Sequence, residues 1–548
     1  NLSLPAQVLK LAEEGVQIKQ AFLVLEAQLN GSGDRGNTTG HVLAFDACQS
    51  PCNPDPWSGS GRVEQNQSTV VLQYQDVSGG HYVRLLMDVT QESDLINYAG
   101  EGKTLNFAVG YRFNNGATAL TVDSVKAKLF VTYLFDESSQ TFTNTVIYPL
   151  ESTYSGDQGS RTQSQATGCT RNSNCPTFNY KVEIPDFTEK FSQWFEVGGF
   201  NDGNGATDVQ RNINLQGTDV DSETFYLEAA QTGDQGNWSE GWFSGVLGFQ
   251  ENATQTLEHW HSGGTQYLIG GEVIETYFGF AQSEKHVKTV SFPIGVITND
   301  AQANVDYTAQ TTVFFPEKGV EIKKAWLRII AVGDDADGAH TISVSTKVGN
   351  NATSSAIVYN QNPGATTITQ ISKIYHIIPQ SDYSELAQAT ATSGKPVWVT
   401  VRVNNAEIDG ISAELMITYS FDSEEEGYLN TIYLFAGQAN NAGNSQSFTQ
   451  NNVLSAVFAE PVGTTTVRAA ALRASYSCSD SDTAMPQTDA FLVGTDISTS
   501  TPVCSNSFYG AADSANAFFE YYRLVTSRMG TQNGQSYNVC YSNNGDGD

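Results

Sequence analysis

Hydrophobic and polar positions alternate over long stretches of this chain, and the alternation repeats itself. From Val125 to Tyr133 the residues Val125, Ala127, Leu129, Val131 and Tyr133 form one set, with Lys126, Lys128 and Thr132 between them. A period of two marks a strand buried on one face. The same lettering returns from Ile411 to Asp422, where Ala413, Leu415 and Ile417 lead into Thr418-Tyr419. A second pattern, Gly15-Val16-Gln17-Ile18-Lys19-Gln20-Ala21-Phe22-Leu23, reappears as Gly319-Val320-Glu321-Ile322-Lys323-Lys324-Ala325-Trp326-Leu327. Fainter copies end at Val467-Arg468-Ala469-Ala470-Ala471-Leu472 and lie at Gln193-Trp194-Phe195-Glu196-Val197.

A Thr-Tyr pair ends the alternating stretch at Thr132-Tyr133, Thr276-Tyr277 and Thr418-Tyr419. After each, a further Thr (Thr145, Thr289, Thr431) opens another apolar run. The interval is domain-sized, so the chain reads as similar modules in tandem, spanning 1–138, 139–282, 283–424 and 425–548. Each module has an opening strand, a central Ile-Lys-x-Ala-x-Leu strand and a closing Ala-x-Leu-x-x-Thr-Tyr strand. Gly, Asn, Asp and Ser fill the turns, which predicts an all-β chain of antiparallel β-sandwiches, Ig-like or jelly-roll-like. The short turn between one closing strand and the next opening strand favours a rod. The period places a further junction beyond Asp548 and another before Asn1. The first module is therefore expected to lack its first strand and the fourth its last. A sandwich short of a strand exposes unpaired backbone and a core groove, which a neighbour's strand can fill. Helical signals are confined to Phe187–Phe191 and Ala515–Tyr521.

The net charge of −31, with only 16% charged residues, argues against a nucleic-acid partner, because no basic surface is available. No apolar run has the length of a membrane span. Cys48 and Cys52 bracket three residues, Cys169 and Cys175 five, and Cys478, Cys504 and Cys540 lie in the last module. Close pairs in polar loops point to disulfides and an oxidising compartment, with Cys478–Cys504 the first choice in the last module. The competing reading is a metal site, weakened by the lack of a Cys-x-x-Cys pair. In a protein outside the cell, the sequons at Asn30, Asn37, Asn66, Asn237, Asn252 and Asn351 are glycan acceptors; in a chain this rich in Asn, Ser and Thr, some arise by chance.

Catalytic motifs are missing from the sequence, so no enzymatic role is expected. His259 and His261 share a strand face without a third metal ligand in view. Asp334, Asp335 and Asp337 sit in a Gly-flanked loop whose hard oxygens suit Ca²⁺; the plainer reading is a solvated turn, since Asp, Asn and Gly are the usual turn residues. Two functional classes compete. One is an extracellular or cell-surface structural subunit of a filament, sheath or stalk, joined head to tail to copies of itself; a viral fibre or capsid protein belongs to the same class. The other is a secreted carbohydrate-binding or carbohydrate-active protein, suggested by Trp238, Trp242 and Trp260 in the second module. The Ile-Lys-x-Ala-x-Leu and Ala-x-Leu-x-x-Thr-Tyr strands resemble those of tandem β-sandwich repeat proteins of prokaryotic cell surfaces and extracellular filaments. That resemblance implies a structural role and carries over no functional residue.

Overall fold

The computed structural model describes residues 2–30, 41–67, 71–152, 265–332, 341–360 and 371–433, apart from short turns and single positions, and only strands between 153 and 264 and beyond 433. The fold is nearly all β, in antiparallel sheets, and each sheet draws its strands from one of the four spans named above. The two short α-helices, Ser93–Ile96 and Tyr383–Leu386, are not where the sequence hinted at helix. Residues 189–191 and 517–521 instead belong to the strands Glu189–Asp202 and Ala517–Leu524, whose ladder partners override weak local preference.

The third module shows the plan. One sheet runs in the order Lys285–Thr298 (opening), Gly410–Asp422 (closing), Glu321–Val332 (central) and Ile371–Ile377; the other runs Asp306–Val313, Lys395–Asn404, Thr341–Val348 and Ile357–Asn360. Between them lies a core that includes Val290, Phe292, Leu327, Ile329, Val344, Val399, Leu415 and Tyr419. Lys395–Asn404 alternates buried and half-buried positions, as a strand with one inward face should.

The other modules repeat this plan with variations. In the second, the opening strand Thr141–Pro149, closing strand Thr265–Phe280, central strand Glu189–Asp202 and Trp238–Ser244 stand in the same order. In the first, the corresponding sheet is Thr121–Leu134 (closing), Gln17–Asn30 (central), Gly80–Asp88 and Val71–Val77. No opening strand pairs with Thr121–Leu134 among the described residues. In the fourth, Ala471–Cys478 pairs with Ala517–Leu524, while Tyr537–Ser542 lies between Gln446–Gln450 and Gln487–Gly494.

Two local devices explain the repeated letters. The Thr-Tyr pair faces a β-bulge on the central strand. Tyr133 and Thr132 oppose Ile18 and Gln20, Tyr277 and Thr276 oppose Lys190 and Ser192, and Tyr419 and Thr418 oppose Ile322 and Lys324. One residue is skipped each time, which re-aims the chain where the module ends. The register also equates Phe22, Trp194 and Trp326, which sit opposite Phe130, Ile274 and Met416. The faint copy at Gln193–Val197 therefore occupies the central-strand position. The second device is glycine: Gly15 and Gly319 have φ of 63° and 66°, and a Cβ on either would collide with the carboxylate of Asp136 or Asp422. Gly15-Val16 and Phe135-Asp136 thus repeat together because they meet.

Candidate functional site: the module junctions and an open sheet edge

At two junctions, the first-to-second and the third-to-fourth, a buried glutamate ties the closing strand of one module to the start of the next, whereas at the second-to-third junction Val287 N donates directly to Tyr277 Oη (3.1 Å). Glu13 Oε1 accepts from Tyr133 Oη (3.0 Å) and Thr143 N (2.6 Å), and Glu13 Oε2 accepts from Thr143 Oγ1 (2.9 Å). Glu317 takes the same place in the third module, where its Oε1 accepts from Tyr419 Oη (3.1 Å), Leu429 N (2.7 Å) and Lys288 Nζ (2.6 Å). Where Thr143 supplies a hydroxyl, Leu429 has none, and Glu317 Oε2 is left without a hydrogen-bond partner. Lys288 offsets this: its ammonium reaches Glu317 and lies 4.6 Å from the Phe421 ring centroid. Burial pushes the Glu13 carboxyl above its usual range, against the hydrogen bonds from Thr143 and Tyr133 that favour the charged form.

Beside the glutamates, the junction threonines link the start of one module to the start of the next. Thr289 and Thr418 hydroxyls lie 2.7 Å apart; Ile147 N donates to Thr289 Oγ1 (2.7 Å) and Thr418 Oγ1 donates to Ile147 O (2.6 Å). Ser291 N donates to Thr431 Oγ1 (2.9 Å), and Thr132 Oγ1 donates to Tyr433 O (3.1 Å). Ile147 packs on the cluster of Trp326, Tyr375 and Met416. Tyr433 repeats that contact on the first module, 6.3 Å from Phe130, which stacks on Phe22 at 4.8 Å. The second module thus meets the third, the third meets the fourth, and the start of the fourth meets the first. This corrects the expected rod: a rod keeps residues 130–132 far from residue 433.

Ion pairs key two of these joints with opposite polarity. Lys128 of the first closing strand pairs with Glu196 of the second central strand at 2.9 Å. At the equivalent positions of the next joint, Glu272 holds Arg328 through two contacts (2.8 and 2.5 Å) and Trp326 Nε1 (2.6 Å). Arg328 also reaches Glu414 at 2.9 Å, whose other oxygen accepts from Ser291 Oγ (2.6 Å). Burial works against the guanidinium charge, but Glu272 and Glu414 outweigh it and hold Arg328 protonated well beyond its usual range.

The closing strand of the first module differs from its counterpart in the third. Gly410 to Phe421 is buried at every position, with partner strands on both edges. Thr121–Leu134 pairs with Gln17–Asn30 on one edge only among the described residues, and residues 126–134 are half-exposed. Ala127, Leu129, Val131 and Tyr133 pack against the core of the first module, whereas Ala413, Leu415, Ile417 and Tyr419 are fully enclosed.

Other residues singled out from the sequence fall as follows. Cys48 and Cys52 form a disulfide. Cys169, Cys175 and Cys504 lie outside the described residues; Cys478 ends the strand Ala471–Cys478, and its side chain is not described. Asp334, Asp335 and Asp337 lie outside the described residues, as do Asn37, Asn237 and Asn252. Asn30 ends its strand and Asn66 lies within Val63–Gln67. Asn351 donates its side-chain amide to Asp382 Oδ1 at 2.8 Å, a bond that a glycan on that nitrogen would disturb. No helix among the described residues is long and apolar enough to cross a membrane.

No known protein family and no curated protein matches the chain. Solved structures give distant likenesses. BuGH86wt in complex with neoagarooctaose is 6% identical, with 54% of this chain and 36% of that one covered and a TM-score of 0.17. Dimeric latent PorU from Porphyromonas gingivalis is 9% identical over 68% and 32%, TM-score 0.20. The infectious bursal disease virus Gx strain structure is 9% identical over 74% and 78%, TM-score 0.15. The chain spans about a third of the length of the first two. At these scores the likenesses carry no argument about function.

Proposed function

We propose that this chain is a structural subunit of the extracellular space or cell surface that assembles with copies of itself. The observation that carries the reading is the closing strand of the first module, half-exposed along an edge that its counterpart in the third module keeps paired and buried. Its residues are invested in joints between sheets: buried glutamates, paired threonines and keyed ion pairs. The Cys48–Cys52 bond agrees with an oxidising compartment. Electron microscopy and sedimentation of the purified protein test the reading. Filaments, sheets or discrete oligomers that grow with concentration are expected; monodisperse single chains at all concentrations overturn it.

A further inference from the structure

We infer that the edge of Thr121–Leu134 that no strand among the described residues pairs is an acceptor for one extended segment of opening-strand chemistry, carried by a neighbouring polypeptide. The inference rests on the assembly reading above and names the partner that its exposed edge would take. The first module contains the closing strand, the central strand and their shared bulge, in the register that the second and third modules use. In those modules the free edge of the closing strand is taken by Thr141–Pro149 and by Lys285–Thr298, both antiparallel.

The equivalent strands also state what the partner must look like. Lys285–Thr298 places Thr289 opposite Thr418 and sends Val290, Phe292 and Ile294 into the core. Thr141–Pro149 places Thr145 opposite Thr276 and buries Val146 and Tyr148. The incoming segment therefore carries a Thr to face Thr132, with apolar side chains one and three positions later. Its Thr would occupy, beside Thr132 and Tyr433, the place that Thr289 holds beside Thr418 and Ile147. Its apolar side chains would cover Ala127, Leu129 and Val131, as the third opening strand covers Ala413, Leu415 and Ile417. Backbone pairing supplies affinity in this kind of recognition, and the alternate side chains supply selectivity. A lysine one position before the Thr, as in Lys288, would come beside Glu13 as Lys288 comes beside Glu317.

The test uses the full chain and a synthetic peptide of residues 285–298, followed by fluorescence anisotropy and by hydrogen exchange. Saturable binding is expected, with new protection of the amides of residues 126–134 and no change in residues 410–422. A peptide with Val290→Asp and Phe292→Asp should bind at least about tenfold more weakly, a loss set by the apolar pockets. No saturation at millimolar peptide, equal affinity of the two peptides, or protection appearing elsewhere overturns the inference. Filaments without peptide binding would sink the acceptor edge alone. Peptide binding by a protein that never assembles would sink the assembly reading while the edge stands.

Discussion

The first and third modules are built from the same strands, yet only the third encloses its closing strand. Ala413, Leu415, Ile417 and Tyr419 are removed from solvent by Val290, Phe292 and Ile294 of the opening strand. Ala127, Leu129, Val131 and Tyr133 receive no such cover from the described residues. Fully burying a side chain of this size is worth about 1.5–3 kcal/mol. The difference between the modules is the remaining fraction of that gain, because Ala127, Leu129, Val131 and Tyr133 are already partly buried against the first core. An edge strand with half-exposed apolar residues is a liability in an isolated protein and an asset in one that assembles.

The comparison can be broken from the side of the third module. Phe292→Ala should cost about 3–5 kcal/mol, because the ring is 2% exposed and packs edge-on against Phe314 and Phe315. Denaturant unfolding followed by tryptophan fluorescence measures the loss, and hydrogen exchange should show residues 410–421 becoming as open as residues 126–134. An unchanged midpoint would mean that the opening strand is not what distinguishes the two modules.

Arg328→Met should cost about 3–5 kcal/mol as well, since it removes the cation from the two buried carboxylates of Glu272 and Glu414. Lys128→Met at the preceding joint should cost less, about 1–3 kcal/mol, because the Lys128–Glu196 pair retains some solvent. Combining Lys128→Glu with Glu196→Lys should restore most of that loss. Failure of the swap would show that the two joints are not keyed by charge. Gly15→Ala and Gly319→Ala sharpen the comparison instead: both place a Cβ at positive φ against an Asp carboxylate, so each should cost at least about 1–2 kcal/mol. Equal losses in the two modules are expected, read as differences in thermal midpoint.

The strands themselves were legible because alternation is a local property, while their order in the sheet was not. Val125 to Tyr133 announces its inward face without knowledge of its neighbours. The repeated Gly15-Val16 and Phe135-Asp136 were visible as letters, but their contact was not, because the crowding exists only once the strands are placed. The bulge was hidden for the same reason: skipping Lys19, Phe191 or Lys323 leaves no mark in a single strand's sequence. The joints were least legible. Lys128–Glu196 and Glu272–Arg328 link residues far apart in the chain whose signs are reversed, so a search for repeated letters passes over them. The expected rod failed where local reasoning ends, at contacts between modules distant in the chain, such as those of Thr132 and Phe130 with Tyr433.

The smallest expected effect separates Glu13 from Glu317. Both carboxyls bind a tyrosine hydroxyl and a backbone N–H of the following module, but only Glu317 has a lysine against it. Burial raises the folded pKa of Glu13 above its unfolded value. The folded protein then holds a proton that the unfolded chain releases. Glu13's contribution is fully present below the ordinary carboxyl range and declines as pH rises through its raised folded value. Each tenfold gain in proton affinity on folding is worth about 1.4 kcal/mol. Asp46 and Glu92, also raised by burial, add slopes of the same sign. Glu13→Gln isolates one of them: the amide oxygen still accepts from Thr143 N, while the titration is gone. Denaturation midpoints from below the carboxyl range to neutral pH should fall less steeply in this variant than in the parent protein. Parallel profiles would show that Glu13 titrates identically folded and unfolded.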